Sequence, residues 1–256
     1  MEVHHHPHVE KKSFKEYLLE GLMIFLAVTM GFIAENIREY IKEHQIAKEY
    51  AVTMVKDLSA DTADLKGYLQ YYRYGTSNID TLFQLVSSID LKDIPSGKLY
   101  WYGLWGGLNR TFIPNDATIT QLKNSGSLRF FSNSGINSKV AYYDQMCRTM
   151  TTSELTDKGV YIEVRKARAK IFEFKFNNIA NNISRANQIK FQQSVIDSFI
   201  QINPPLLSYD KTTFNEYLEI VRSRRLTDRI KMADTLLAHA TELIALLQKE
   251  YHLENE

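Results

Sequence analysis

Residues Gly21 to Ala34 read GLMIFLAVTMGFIA, fourteen positions without a charge, closed by Glu20 on one side and Glu35 on the other. Thr29 is their only hydroxyl, so a helix through them has no polar face. A helix buried in a soluble bundle normally keeps one. A cleaved signal needs a small-x-small site after its apolar region. Here the chain runs on as ENIREYIKEH, with Glu–Arg and Glu–Lys spacings that carry a helix forward. Of the three readings (anchor, core helix, signal), the residues favour an uncleaved membrane-spanning anchor.

Its length is adequate. Fourteen helical residues reach about 21 Å, and adding Tyr17, Leu18 and Leu19 extends the span to about 27 Å, close to a hydrocarbon core of about 30 Å. Tyr17 suits the interface, where its ring is apolar and its hydroxyl wet. Glu20 falls about one turn inside, where it can approach the headgroups, take up a proton or pair with a neighbouring helix. The anchor is expected over 17–37, with Tyr17, Glu20, Gly21, Phe25, Gly31 and Phe32 among its residues, and a flexible tail over 1–16. His4, His5, His6 and His8 in that tail are interrupted by Pro7 and read as native. A flexible tail holds a metal only weakly, because ordering it costs entropy, so no metal site is assigned. Lys11, Lys12 and Lys15 before the span balance Arg38, Lys42 and Lys48 after it. The amino terminus and the histidines tip orientation toward a cytoplasmic tail and a bulk domain outside.

The rest of the 256 residues reads as all-α, an antiparallel helical bundle over 38–256. Only 11 Gly and 5 Pro punctuate the chain, and 44% hydrophobic content fits a folded core. The anchor is expected to continue into a long helix over about 38–74. Ala51, Val55, Leu58, Thr62, Leu65, Leu69 and Tyr72 recur at steps of four and three, a seam for a partner helix. Gly75 is expected to stop that helix and Ser77 or Asn78 to cap the next. That next helix would carry Ile79, Leu82, Phe83, Val86 and Ile89 on one face and fold back as a hairpin. Asn115 or Asp116 caps a short helix ending at Gly126, and Asn133 or Ser134 opens a longer one. Asn203 before Pro204–Pro205 marks a loop. A C-terminal helix over about 213–251, with Ile230, Ala233, Leu237, Ala240, Ile244 and Leu247 as its stripe, is the expected antiparallel partner of the first.

Two stretches resemble a known group. HHHPHVEKKSFKEYLLEGLMIFLAVTMGFIAENIREYIKEHQIAKEYAVTMVKDLSADTADL is similar to the N-terminus of uncharacterised membrane proteins from Bacteroidota. DATITQLKNSGSLRFFSN, followed by VAYYDQM, is similar to a second pattern of the same group. The resemblance spans most of residues 1 to 146. It implies a single-pass bacterial inner-membrane protein with a helical extramembrane domain, and it carries over no catalytic residue and no cofactor.

Chemistry is sparse. No phosphate loop, HExxH, GxSxG or calcium-loop pattern occurs, and Cys147, the single cysteine, reads as a buried apolar residue. Asp57, Asp61 and Asp64 at helical spacing read as a wet face or a weak cation site. The basic runs RKARAK and RSRRLTDRIK lie among acids, Glu163, Glu173, Glu219 and Asp228 among them, and read as solvated faces. With a net charge of +1, no field recruits nucleic acid. Tyr100, Trp101 and Trp105 crowd a stretch interleaved with Gly103, Gly106 and Gly107. They suit a packed core, a ligand pocket or a membrane-interface belt. The leading expectation is a membrane-tethered, non-enzymatic interaction or scaffold module, with a homo-oligomer or a membrane protein as partner beside the bilayer. The alternative is a sensory domain with its pocket around residues 100–105.

Overall fold

The computed structural model describes residues 13–131, 133–186 and 193–253. The tail histidines, and with them their expected role, lie outside the described residues. The protein is all-α: among the described residues there are eight α-helices, two 3-10 turns and no strand. The helices are α1 (Phe14–Ser88), α2 (Ser96–Leu104), α3 (Ala117–Ser125), α4 (Ser134–Ala169), α5 (Phe174–Ala186), α6 (Gln193–Ile202), α7 (Lys211–Ser223) and α8 (Leu226–Tyr251). The chain divides into two units, up to Tyr50 and from Ala51 onward.

In the first unit, α1 begins at Phe14, three residues before the expected anchor. Ser13 donates its N–H to Glu16 Oε2 at 2.8 Å, half of a Ser-x-x-Glu capping box. From Tyr17 to Ala34 every side chain is exposed except Thr29, which is half-buried. An eighteen-residue window of this helix is long and apolar enough to cross a membrane, and none of it is buried.

The second unit holds the core. Helix α1 does not stop at Gly75; it runs unbroken to Ser88, so the expected hairpin is absent. Gly75 serves space rather than termination, since a Cβ there would stand 1.8 Å from Leu108 Cδ1. The seam expected on this helix is mostly right. Ala51, Leu58, Leu65, Leu69 and Tyr72 are buried, but Met54 and Asp61 take the places expected for Val55 and Thr62, and Tyr68 is buried beside Leu69.

Helix α4 runs beside this part of α1 in the same direction, with Asp61 against Tyr143 and Tyr68 against Glu154. Helix α8 runs antiparallel to α4. Asn133 meets Glu250, Lys139 meets Glu242, and Ser153 meets Arg229. Helix α8 therefore runs antiparallel to α1, and Arg73 meets Asp234 and Tyr72 meets Arg229 between them. The expected single C-terminal helix is instead two, α7 and α8, broken at Arg224–Arg225, where Arg225 adopts φ 50°. Its stripe also shifts: Ala233, Ala240 and Leu247 are buried as expected, while Leu236 and Leu243 displace Leu237 and Ile244. Helix α2 packs on α5 and α6, and Gly97 lets it approach so closely that a Cβ would lie 2.2 Å from the Ile200 carbonyl oxygen.

Candidate functional site

The aromatic segment is core, not pocket. Tyr100, Trp101 and Trp105 are at most 2% exposed. Trp105 meets Trp101 edge-on at 5.9 Å and Tyr74 at 5.0 Å. Tyr100 donates to the Pro205 carbonyl at 3.0 Å and accepts from Glu173 N–H at 2.9 Å, which pins the loop after α6 and the turn after α4. The interleaved glycines admit neighbours. A Cβ on Gly103 would meet Phe172 at 2.7 Å, and one on Gly106 would meet Tyr217 Oη at 2.2 Å. Small residues between large rings thus mark close packing, and the expected ligand role of Tyr100, Trp101 and Trp105 is set aside.

The acids expected on a wet face are sockets instead. Asp61 is fully buried and accepts from Asn115 N–H and Asn115 Nδ2, each at 2.8 Å, and from Tyr143 Oη at 2.6 Å. Asp57 accepts from Thr118 N–H at 3.2 Å and Thr118 Oγ at 2.6 Å. It therefore satisfies the N-terminus of α3 from across the bundle, a task the sequence assigned to Asn115 or Asp116. Asp64 pairs with Arg110 at 2.7 Å. One face of α1 thus docks the segment from Arg110 to Thr118. Among the described residues, no cluster of His, Cys, Asp or Glu could hold a metal ion.

Cys147 is buried beside this cluster, and burial pushes its thiol up to about 12. A raised thiol pKa disfavours the thiolate, the nucleophilic form.

Two regions hold buried arginines, against the reading of both basic runs as solvated. In the first, Asp157 of α4 receives Arg224 in a two-pronged pair, Nε at 3.0 Å and Nη2 closer, and also Arg229 Nη2 at 3.1 Å. Arg224 Nη1 donates to the Gly106 carbonyl at 2.8 Å. All three residues are 5–7% exposed. Burial alone would lower the Arg229 pKa, but Tyr72 and Asp157 outweigh it and hold it above its ordinary value. Glu154, next in sequence to this network's Ser153, is pushed up by burial, against Phe112 N–H and Tyr68.

In the second region, Arg168 of α4 is 7% exposed. Its Nη1 donates to the Leu104 carbonyl at 3.1 Å and its Nη2 to Asn177 Oδ1 of α5. No carboxylate pairs with it among the described residues, and burial pushes its pKa down. It lines a cleft of about 440 Å³ together with Arg165, Arg185, Asn177, Asn181 and Phe174. Among the described residues, no acid is part of that lining. The sequence marked RKARAK as basic but could not say which of its cations turns inward; the signal missed was the run of asparagines Asn177, Asn178 and Asn181 that meets it.

No protein-family model, curated protein or solved structure matches this chain.

Proposed function

We propose that this protein is a single-pass bacterial inner-membrane protein whose helical bundle lies on the periplasmic side and acts by binding rather than by catalysis. One observation carries the tether. Eleven large apolar side chains from Leu18 to Ile33 stand 49–69% exposed, all round the helix. Burying such side chains is worth about 1.5–3 kcal/mol each, so leaving the girdle in water forfeits on the order of 20 kcal/mol that lipid recovers. Thr29 Oγ donates to the Phe25 carbonyl at 2.8 Å, which keeps the one hydroxyl satisfied without water. The inner membrane rests on the resemblance to the Bacteroidota group, and the orientation on the charges flanking the span. Burial of Cys147, which disfavours its thiolate, speaks against cysteine-based nucleophilic chemistry.

Self-association through the heptad stripe loses its motive, because Ala51, Leu58, Leu65 and Tyr72 are consumed in the chain's own core. A partner copy or membrane protein would therefore meet the anchor or the outer surface of the bundle. The ligand-binding alternative moves from the aromatic segment to the arginine cleft.

Fractionation tests the tether. The full chain is expected to sediment with membranes and to resist alkaline carbonate, and a reporter after Glu256 to be reached by external protease in spheroplasts. Full-length protein that stays monodisperse in the supernatant without detergent would sink the proposal.

A further inference from the structure

We infer that the cleft between α4 and α5 is a binding site for a small organic anion, a molecule with a carboxylate or phosphate head held by Arg168, Arg165 and Arg185. The inference does not depend on the tether. A buried guanidinium without a carboxylate is rare, because taking a charge out of water is unfavourable unless another charge answers it. The same bundle shows the usual solution at Arg224, gripped by Asp157. At Arg168 that answer is missing among the described residues, although two hydrogen bonds hold the side chain. Among the described residues, two of its donors have protein acceptors, the Leu104 carbonyl and Asn177 Oδ1. A guanidinium carries five N–H groups, so donors remain for a ligand. Gly107 lies against the guanidinium, and a Cβ there would stand 2.8 Å from Nη1.

The walls match the same chemistry. Arg165 and Arg185 are exposed and carry no ion pair among the described residues, Arg165 lying over the Tyr161 ring at 5.8 Å. Of the nearby acids, Glu163 pairs with Lys166 and Glu216 with Lys170, while Glu173, between the lining residues Phe172 and Phe174, is not itself part of the described lining. Asn177 and Asn181 add amides that can accept as well as donate, which suits hydroxyl or amide groups behind an anionic head. At the rim Phe174 is 80% exposed and Leu207 60%, an apolar platform for the rest of the molecule. A volume of about 440 Å³ accommodates a metabolite-sized ligand. A forked guanidinium binds a carboxylate or phosphate through paired hydrogen bonds, which is what selects these heads over halide.

The test uses the full chain in nanodiscs of phosphatidylcholine. Pyrophosphate, citrate and glycerol 3-phosphate are titrated as soluble probes, and separate discs contain phosphatidylglycerol. At saturation at least one of these is expected to raise the melting midpoint by about 3 °C or more. A shift with soluble probes identifies a free anion, and a shift only in phosphatidylglycerol discs identifies a lipid headgroup; both support the site. The double variant Arg165→Ala/Arg185→Ala alters exposed residues, so it is expected to keep the unliganded midpoint while weakening binding about tenfold or more. No shift with any probe or lipid would overturn the inference, and so would a shift that the double variant leaves unchanged.

Discussion

Arg224 and Arg168 are buried to nearly the same degree in one bundle, yet the protein treats them in opposite ways. Arg224 sits in a closed network in which Asp157 also takes Arg229 and the Gly106 carbonyl takes a further donor. Arg168 meets a carbonyl and an amide but, among the described residues, no opposite charge, and it opens onto a cleft. The first arrangement is finished and serves the fold. The second is held in shape by neutral groups and keeps its charge available. Burial alone therefore does not distinguish a structural charge from a functional one; what faces it does.

The sharpest way to break the contrast is at Asp157. Asp157→Asn leaves two guanidiniums buried without an anion and is expected to cost about 3–5 kcal/mol. Chemical denaturation of the detergent-solubilised full chain would read this as a large drop in midpoint. Matched substitutions come next. Arg224→Gln is expected to cost somewhat less, about 2–3 kcal/mol, because it removes the two-pronged partner of Asp157 and leaves that buried carboxylate with Arg229, whereas Arg168→Gln changes stability by no more than about 1 kcal/mol. In the latter, loss of an uncompensated buried charge offsets two hydrogen bonds. Equal losses would show that Arg168 is as structural as its counterpart.

Adjacent glycines give a smaller version of the same comparison. Gly106→Ala forces a Cβ toward Tyr217 Oη and is expected to cost about 1–3 kcal/mol. Gly107→Ala meets only the Arg168 guanidinium, so its effect falls mainly on anion binding, read by titration with pyrophosphate.

The smallest effect is a pH slope beside the first network. Burial raises the Glu154 pKa above its ordinary 4.5. The folded state then binds this proton more tightly than the unfolded state. Its contribution is present at low pH and is lost as pH rises from 4.5 through the raised value. Glu154→Gln should flatten that part of the stability profile, and an unchanged slope would assign it to other groups.

Local grammar was readable along the chain wherever it depended on neighbours in sequence. Asn133 accepts from Gly135 N–H at 2.9 Å and opens α4, and Gly126 adopts φ 68° and closes α3. Both are decided within a few residues. Gly75 was misread because its role depends on Leu108, thirty-three positions away, and the break at Arg224–Arg225 was missed because no Gly or Pro announces it. That break lies where Arg224 turns into the core to reach Asp157. The aromatic cluster favoured core over pocket or interface in sequence, and it became core through Tyr71 and Tyr74 of α1, Phe172 after α4 and Tyr217 of α7.

The sequence by itself determined the helical class and the uncharged girdle near the N-terminus, because both are set by which residues recur along one chain at short range. Only the tertiary structure decided which charges are buried, that Asp57 and Asp61 dock the α3 segment, and that Arg168 rather than Trp101 faces a cleft. Those outcomes turn on partners far apart in sequence, and the free energy of a buried charge is set by the groups that surround it in space.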